Sequence, residues 1–478
     1  MKIAMITSEA NPLVKTGGLA DVTYSLSREL NTLGHETCIV MPFYKSIKQN
    51  KDLQIEKIGS FDVFMSWRRQ YAGILKTKIE NITYYFIDNE FYFNRDGIYG
   101  FEDDGERFAF FSLAVLEMMK VIKYRPDVIH VNDWQSGMIP CLLKKKYDND
   151  PLLKGIKTVL TIHNPAFKGL LDKYYLNNFF GLSDNLFDNG SVRFDGMVST
   201  LKAAIHYSDM ITTVSLTHRE ELLAYSTSLG FNYCLELRKE DFVGIVNGVD
   251  DVEFNPMNDK YIKSSFNSRN FLRGRSQNKK DLLHAFHLSE TDKPVLGVVS
   301  RLTFQKGIDL LWPNLEPLVK QGVKVVVVGS GDKDIEEHLQ RARDTYPDNI
   351  GIYIGYNNEL AHKIYGGSDF FLMPSLFEPC GIGQLIAMRY GSVPIVRETG
   401  GLKDTVVGYK GNNLKQSTGL TFGRYDSESL GATFNQMFDV YNDKEVMKTL
   451  ITNSLNSKWS WKESALKYID VYGRAMKK

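Results

Sequence analysis

The sequence predicts an α/β protein built from two doubly wound domains with parallel sheets. At 478 residues the chain is too long for one ordinary hydrophobic core, so two domains are expected. Short apolar runs rich in Val and Ile lead into helical stretches, and this alternation occurs in both halves. Strands of parallel sheets read as continuous apolar runs because helices cover both faces. The alternation therefore predicts one such sheet in each half.

In the first half, helices lie between some of the strands, and the clearest are Ala20–Leu33 and Phe108–Lys123. The strands predicted there are Lys2–Thr7, Glu36–Met41, Thr83–Ile87, Asp127–Val131, Thr158–Ile162 and Met210–Val214. In the second half the alternation is more regular, with helices of roughly ten to fifteen residues between strands. The strands predicted there are Val295–Val299, Lys324–Val328, Ile350–Ile354, Phe370–Met373 and Val393–Val396.

The boundary between the domains is predicted just after Val243–Val246, because the stretch Asn255–Lys280 is polar and irregular. We assign residues 1–246 to an N-terminal domain and 247–458 to a C-terminal domain. The last helix, Lys462–Met476, precedes no further strand, so segment 459–478 either caps the second domain or crosses back onto the first. Ligands are expected in the crevice between the domains, at the carboxyl ends of the strands.

Composition excludes several classes of function. A formal net charge of +1 gives no general attraction to nucleic acid or to an anionic membrane surface. Cys38, Cys141, Cys234 and Cys380 lie far apart, which argues against a zinc site and suggests a reducing compartment. The N-terminus starts directly in a strand, without a signal peptide or a membrane-length apolar run. These features predict a cytoplasmic protein with no nucleic-acid or membrane partner.

A cation and two glycines occupy the loop between the first strand and the first helix, in the segment Lys15-Thr-Gly-Gly18-Leu-Ala-Asp21-Val. Glycines remove Cβ bulk and a helix start offers unpaired N–H groups, so a phosphate could approach the backbone here. A tight turn with a solvated lysine is an equally open interpretation. Residues 16–21 recur, with one difference, at 399–404, which indicates either shared turn chemistry or a Gly-rich loop on each wall of a cleft.

Arg301 and Lys306 follow the strand Val295–Val299 and lie near a helix start, an arrangement suited to a diphosphate. The alternative is two surface cations paired with carboxylates. After the strand Phe370–Met373, the segment Glu378-Pro-Cys380-Gly381 leads into a helix at about residue 382. A carboxylate would repel phosphate, so Glu378 is better suited to accept hydrogen bonds from sugar or ribose hydroxyls; the alternative is a helix cap.

Three further polar residues follow predicted strands on the ligand side: His163, Asp133 and Asn247. Each could contact a sugar, although a lone histidine is more often structural. No carboxylates of the Asp-x-Asp type lie near the proposed diphosphate loops, so no metal is expected. Aromatic rings suit sugar faces. Most of the rings between residues 84 and 101 are expected in the core, with two or three in contact with a bound sugar. They are Tyr84, Tyr85, Phe86, Phe91, Tyr92, Phe93, Tyr99 and Phe101.

The chain resembles bacterial glycogen synthases and plant starch synthases over nearly its whole length. The motifs KTGGLADV (15–22), HNPAF (163–167), SRLTFQKG (300–307), FEPCGIGQL (377–385) and TGGLKDTV (399–406) occur in the order seen in that family. The resemblance implies a GT-B fold, in which two Rossmann-like domains face each other across a cleft. It also implies glucose transfer from ADP-glucose to the non-reducing 4-hydroxyl of an α-1,4-glucan, with retained anomeric configuration and no cofactor or metal.

The resemblance further implies a role for each motif residue. His163 would contact the glucosyl unit, Arg301 and Lys306 would bind the diphosphate, and Glu378 would hold donor hydroxyls; these are the catalytic assignments. Substrate-binding roles fall to Lys15, Gly18, Asp21, Asp133, Asn247, Tyr356, Cys380 and Gly381. Lys15 and Gly18 would face the donor from the N-terminal domain, and Tyr356 would lie by the adenine. The backbone of Cys380 and Gly381 would lie near the phosphates and the glucose.

One position departs from the family pattern. Many members have a threonine where this chain has Gly383, so a hydroxyl that could contact phosphate is missing. Two alternatives stay open: a retaining GT-B transferase that uses UDP-glucose or a small acceptor, and a non-catalytic glucan- or nucleotide-binding protein. A glucan phosphorylase is disfavoured, because it needs a cofactor-bearing lysine and a considerably longer chain. The sequence leaves the oligomeric state open.

Overall fold

A computed structural model describes all residues from 1 to 478. Its internal contacts divide the chain into two units, which we call the N-terminal unit (Met1–Ile245 with Trp461–Lys478) and the C-terminal unit (Val246–Ser460). The chain therefore passes between the units twice, at Ile245–Val246 and at Ser460–Trp461. No helix combines the length and the apolar character needed to cross a lipid bilayer.

The N-terminal unit contains twelve strands and ten α-helices. The strands are β1 (Lys2–Ile6), β2 (Glu36–Pro42), β3 (Glu56–Met65), β4 (Arg68–Ile79), β5 (Ile82–Asp88), β6 (Val128–Asn132), β7 (Lys157–Ile162), β8 (Leu170–Leu171), β9 (Arg193–Phe194), β10 (Met197–Ser199), β11 (Met210–Thr213) and β12 (Phe242–Gly244). The helices are α1 (Gly18–Thr32), α2 (Lys45–Lys48), α3 (Glu90–Phe93), α4 (Asp104–Val121), α5 (Ile139–Lys145), α6 (Asn185–Asp188), α7 (Thr200–Tyr207), α8 (Leu216–Leu223), α9 (Asn232–Glu236) and, at the C-terminus, α18 (Trp461–Met476).

The main sheet of this unit has nine strands in the order β12-β11-β7-β6-β1-β2-β5-β4-β3. All neighbours are parallel except β3, β4 and β5, which pair antiparallel. The strand order reverses direction at β1, which lies between β6 and β2. The carboxyl ends of β1 and β6 therefore meet at a topological switch point, where ligands bind in doubly wound sheets.

Helical periodicity explains how the first and last helices pack in the N-terminal unit. Helix α1 buries Leu19, Val22, Leu26 and Leu30, a spacing that places them on one face. Helix α18 buries a face that includes Trp461, Tyr468 and Tyr472. It packs against α1, β7 and β11, so the end of the chain is part of this unit's core.

The C-terminal unit has six strands and eight α-helices. The strands are β13 (Val295–Val299), β14 (Lys324–Gly329), β15 (Ile350–Ile354), β16 (Phe370–Met373), β17 (Val393–Arg397) and β18 (Leu420–Phe422). The helices are α10 (Phe271–Ala285), α11 (Trp312–Lys320), α12 (Lys333–Thr345), α13 (Asn358–Gly367), α14 (Gly383–Arg389), α15 (Gly400–Thr405), α16 (Ser427–Asn442) and α17 (Lys444–Leu455).

These six strands form one parallel sheet in the order β15-β14-β13-β16-β17-β18. Numbered within the unit this is the order 3-2-1-4-5-6 of the Rossmann fold, with its switch point between β13 and β16. Single helical turns complete the chain at Trp134–Ser136, Leu176–Phe180, Lys239–Asp241, Phe304–Lys306 and Ile308–Leu311.

The structure corrects the sequence analysis at helix α10. The stretch Asn255–Lys280 was expected to be irregular, but a regular helix begins at Phe271. The helix escaped notice because two of its buried positions are polar, Arg275 and Asn278. The guanidinium of Arg275 donates hydrogen bonds to the carbonyl oxygens of Gly366, Ser368 and Tyr390. A buried arginine that is hydrogen-bonded to three backbone carbonyl oxygens breaks the apolar pattern without costing the helix its buried face.

Candidate active site

The Lys15–Asp21 loop leaves the carboxyl end of β1, at the switch point of the N-terminal sheet. The Lys15 ammonium contacts the Asp21 carboxylate with Nζ 2.8 Å from Oδ1, and Asn11 donates to the same oxygen. The Lys15 side chain is 38% exposed, so its charge can still reach solvent or a ligand. Asp21 therefore helps to hold Lys15 in place.

Glu9, which the sequence analysis missed, holds this loop through hydrogen bonds. The residue is only 4% exposed, and its carboxylate accepts hydrogen bonds from the backbone N–H groups of Thr16 and Gly17 and from the Thr16 hydroxyl. The Tyr99 hydroxyl donates to it at 3.3 Å. Burial raises the pKa of Glu9, while the hydrogen bonds from Thr16 oppose that shift. Glu9 thus fixes the backbone immediately before helix α1.

The start of α1 is open. Its N-cap residue, Gly17, has no side-chain cap, and a Cβ on Gly17 would meet nothing within 4 Å. The first N–H groups of a helix have no partners within the helix, so Gly18 and the residues after it present donors beside Lys15. The loop retains the features that suit a phosphate.

Asp133 and His163 follow the neighbouring strands β6 and β7, and the structure brings them together. Oδ1 of Asp133 accepts the backbone N–H of His163 at 2.7 Å and that of Asn164 at 3.4 Å. Burial raises the pKa of Asp133 to about 7. Asp133 also has a positive φ of 52°, which is uncommon outside glycine and typical of functional turns. Asp133 therefore sets the position of His163.

The hydrogen bonds of His163 fix its tautomer. The side-chain amide of Asn132 donates to the carbonyl oxygen of Ile6, so its Oδ1 is free to accept from Nε2 of His163 at 2.8 Å. Nε2 therefore carries the proton, and Nδ1 is left as an acceptor. Burial lowers the pKa of His163 to about 3, so the ring is neutral near pH 7. Asn132 was not predicted, because an asparagine inside a buried strand gives no sequence signal.

In the C-terminal unit, Lys306 and Glu378 form a buried ion pair across the switch point. Nζ of Lys306 lies 2.6 Å from Oε2 of Glu378, and the Lys306 and Glu378 side chains are 14% and 8% exposed. The Ser375 hydroxyl donates to the same carboxylate oxygen at 3.0 Å. The pair joins the loop after β13 to the loop after β16, as parallel strand ends at one edge allow. Oε1 of Glu378 is left to accept a further hydrogen bond.

Arg301 lies in the same loop as Lys306, directly after β13, and its side chain is exposed without an ion-pair partner. Gly307 closes the turn with a positive φ of 69°, and a Cβ there would collide with the carbonyl oxygen of Pro374. Only glycine fits this position. The turn holds Lys306 against Glu378 and leaves Arg301 accessible.

The two similar Gly-rich loops differ in their surroundings. In the second loop, the N–H of Gly401 donates to the carbonyl oxygen of Glu378 at 3.1 Å. A Cβ on Gly400 or Gly401 would collide with the backbone of Glu378 or Cys380. These glycines therefore support the Glu378 segment through close packing, whereas Gly17 faces open space.

Cys380 and Gly381 lie in that supported segment. Burial raises the pKa of the Cys380 thiol to about 12, so the sulfur is not a nucleophile near neutral pH. The amide of Gln384 donates to the carbonyl oxygens of both residues. Asn247 is 4% exposed and its Oδ1, like Oε1 of Gln384, has no hydrogen-bond partner. Gln384 was not predicted.

Two further positions of this unit are Tyr356 and Gly383. Tyr356 follows β15, is 78% exposed and donates from its hydroxyl to Asn358 at 3.3 Å. A Cβ at Gly383 would lie 3.2 Å from both Met373 Sδ and a ring carbon of Phe371, so a larger residue requires those side chains to yield slightly. No group of three or more His, Cys, Asp or Glu side chains is placed to hold a metal ion.

Comparisons with known proteins identify the class. A family model of the starch synthase catalytic domain matches residues 2–236, and a model of group 1 glycosyl transferases matches residues 279–454. A glycogen synthase of Anoxybacillus flavithermus is 43% identical over 478 residues, with 100% of this chain and 98% of the relative covered. A glycogen synthase of Clostridium kluyveri is 42% identical, with 99% of each covered. The protein is thus a glycosyltransferase.

Solved structures agree with that class. The catalytic domain of starch synthase IV from Arabidopsis thaliana, bound to ADP and acarbose, matches with a TM-score of 0.93 and 30% identity, covering 100% of this chain and 99% of its own. A sucrose-phosphate synthase from Thermosynechococcus elongatus matches with a TM-score of 0.63 at 15% identity, which shows the fold alone. The chain belongs to the glycogen and starch synthase family, and its predicted GT-B fold class is confirmed.

Proposed function

We propose that this glycosyltransferase moves glucose from ADP-glucose to the non-reducing 4-hydroxyl of an α-1,4-glucan and retains the configuration at C1. The observation that carries the proposal is the buried Lys306–Glu378 pair beside the exposed Arg301, at the switch point of a Rossmann sheet. Such a point binds nucleotides in doubly wound folds. The ADP and acarbose bound to the similar starch synthase support the choice of adenine nucleotide and glucan.

In this proposal Arg301 and Lys306 bind the diphosphate. Cleavage of the bond between C1 and the phosphate oxygen places negative charge on the departing ADP, and fixed cations stabilise that charge. Two cations and helix starts provide the electrostatics that a metal supplies elsewhere, so we propose that no metal or other cofactor takes part. Lys15 and the N–H of Gly18 would contact the same donor from the N-terminal unit, with Asp21 holding Lys15.

The remaining polar groups would position the glucose. Oε1 of Glu378 is placed to accept from a donor hydroxyl, because Oε2 is already bonded to Lys306 and Ser375. The neutral ring of His163 can accept a sugar hydroxyl at Nδ1, and Asp133 holds the backbone of His163. Asn247, Cys380 and Gly381 would line the glucose and phosphate pocket, and Tyr356 would lie by the adenine.

The test is a turnover assay with purified protein, glycogen and either ADP-glucose or UDP-glucose, following nucleotide release. We expect turnover with ADP-glucose to exceed that with UDP-glucose. The reverse preference would support the UDP-glucose alternative. An absence of turnover with both would favour a non-catalytic binding protein. A cytoplasmic location stays a prediction, made from the wide spacing of the four cysteines and from the lack of a signal-peptide pattern in the sequence.

A further inference from the structure

Arg397 is the last residue of β17, and the sequence analysis did not single it out. Strand β17 lies between β16 and β18, so a side chain at its carboxyl end is next to the loops that follow both neighbours. The residue is half-buried. Arg397 therefore lies beside the segment that carries Glu378, although the proposed reaction gives it no role.

The guanidinium of Arg397 donates hydrogen bonds to three backbone carbonyl oxygens. Nε donates to Ser375 at 2.8 Å, and Nη2 donates to Leu376, the next residue of the chain. Nη1 donates to Gly423, just after β18, at 3.2 Å. A planar fork of fixed donors suits two consecutive carbonyl groups and a third one elsewhere, whereas the single ammonium of a lysine does not.

The ring of Tyr425 further restricts the guanidinium. The centre of this ring lies 5.7 Å from the guanidinium carbon of Arg397. The Tyr425 hydroxyl donates to Oδ1 of Asp309 at 3.0 Å, which fixes the ring. A cation is attracted to the face of an aromatic ring, so the side chain of Arg397 is held in one orientation before any ligand binds.

Two of the carbonyl groups that Arg397 binds belong to the segment that leads to Glu378. The hydroxyl of Ser375 donates to Oε2 of Glu378 at 3.0 Å. The same carboxylate oxygen lies 2.6 Å from Nζ of Lys306. A rotation of the backbone at Ser375 would therefore displace both charged groups of the Lys306–Glu378 pair.

We propose that Arg397 is a positioning residue for glucosyl transfer, which holds the backbone before Glu378 so that the Lys306–Glu378 pair meets the donor in one geometry. This role rests on the proposed function, because that reaction is what gives the pair its task. A small misplacement of binding groups can cost about 10²-fold in rate. The competing account is that Arg397 contacts the diphosphate itself, as a third cation.

Hydrogen–deuterium exchange tests the holding role without any ligand. The N–H of Leu376 donates to the carbonyl oxygen of Gln305 at 2.9 Å, so the exchange of peptides that cover residues 374–381 reports whether the segment opens. We expect Arg397→Ala to speed this exchange about tenfold. Arg389→Ala is the matched control, because Arg389 is a half-buried arginine of the same unit that donates to two backbone carbonyl oxygens of another segment. Unchanged exchange in Arg397→Ala would overturn the proposal.

A double-mutant cycle with Lys306 separates positioning from direct contact. The measurement is the Kd of ADP, obtained by calorimetry for wild type, the two single variants and the double variant. Arg397→Ala should raise this Kd about fivefold when Lys306 is present and less than about twofold in Lys306→Ala, because its effect passes through the pair. Effects of equal size in both backgrounds would show that Arg397 acts independently of the pair and would overturn the positioning role.

Arg397→Lys separates charge from geometry, since lysine keeps the positive charge and loses the fork. We expect kcat with ADP-glucose and glycogen to fall about tenfold in both Arg397→Lys and Arg397→Ala, and to stay within about twofold of wild type in Arg389→Ala. Full activity in Arg397→Lys would overturn the proposal.

Thermal unfolding of each variant checks that the fold is intact. If Arg397→Ala does not fold, Arg397→Lys replaces it in the exchange and ADP-binding measurements, and the same outcomes decide. A wild-type protein that neither binds ADP nor turns over would contradict the proposed function. The exchange measurement needs no ligand, so a failure of the holding role and a failure of the proposed reaction are separately visible.

Discussion

Single residues in this protein act through the groups that hold them. Lys306 is oriented by Glu378, and Lys15 by Asp21. Glu9 fixes the backbone between Lys15 and α1 through two N–H groups. Some of these pairs join two motif residues, and other motif residues are held by residues that the sequence analysis did not single out. Their partners Glu9, Asn132, Ser375 and Gln384 became known only from the structure, because a single buried polar residue has no periodic pattern.

Replacing Lys306 tests the diphosphate role directly. We expect Lys306→Ala to lower kcat by roughly two orders of magnitude, because a preorganised charge on the leaving group is lost. The measurement is the release of ADP from ADP-glucose with glycogen as acceptor. Lys320→Ala is the control, since Lys320 is an exposed lysine of the same unit paired with Glu316. Near-normal turnover of the Lys306 variant would refute its role.

Replacing Glu9 tests whether the loop must be held. We expect Glu9→Gln to lower kcat/KM for ADP-glucose by about ten- to a hundredfold, because the amide cannot accept every hydrogen bond that the carboxylate accepts. The measurement is steady-state kinetics with maltotriose, together with thermal unfolding. Glu29→Gln, on helix α1 of the same unit, is the control. Unchanged kinetics would show that Glu9 is not needed to position the loop.

At the scale of elements, the C-terminal helix is bonded to the sheet of the N-terminal unit through a chain of hydrogen bonds. Thr212 donates to the carbonyl oxygen of Leu160, Thr161 contacts Thr212, and His130 contacts Thr161 at 2.6 Å through Nε2. Since each member must both donate and accept, the Tyr472 hydroxyl of α18 donates to Nδ1 of His130 at 2.8 Å. Protonation of Nδ1 would remove the acceptor of that bond.

The buried His130 predicts a loss of stability in acid. Burial lowers its pKa to about 3 in the folded state, whereas the unfolded value is 6.5. Between these two pH values only the unfolded chain binds the proton. The contribution of neutral His130 to the free energy of unfolding is therefore complete above about pH 6.5 and declines as the pH falls. At pH 5 the loss is about 2 kcal/mol. A fall in pH also lowers the stability of the fold through His163, whose pKa is lowered. Through Asp133, whose pKa is raised, the same fall in pH increases the stability.

A comparison with a variant isolates the contribution of His130. We expect the free energy of unfolding in urea to fall by about 2 kcal/mol more in wild type than in His130→Gln when the pH changes from 7 to 5. His163 and Asp133 are present in both proteins, so their effects cancel in the difference. Equal losses in both proteins would show that His130 is not the cause.

At the scale of the whole molecule, the chain crosses between the two units twice. The family resemblance implies that residues of both units bind one donor, and glycosyl transfer then requires water to be kept out of the site. Ligand-driven closure of domains is the usual means of exclusion. The two crossings at 245–246 and 460–461 are where backbone rotation could permit such closure.

Small-angle X-ray scattering tests this expectation. We expect the radius of gyration to decrease when ADP-glucose and maltotriose are added together, and to stay unchanged with maltotriose alone. The Lys306→Ala variant should show a smaller change, because its donor contacts are weakened. Identical scattering curves with and without both ligands would contradict closure.

The sequence by itself determined the class of fold and the motif positions, because alternating apolar runs and glycine punctuation are local signals. The motifs that span the chain also indicated the family. Only the tertiary structure decided what the motifs contact: that Lys306 pairs with Glu378, that His163 is a neutral acceptor, and that α18 joins the N-terminal core. These contacts link residues far apart in the chain, and their geometry exists only once the strands are ordered in sheets.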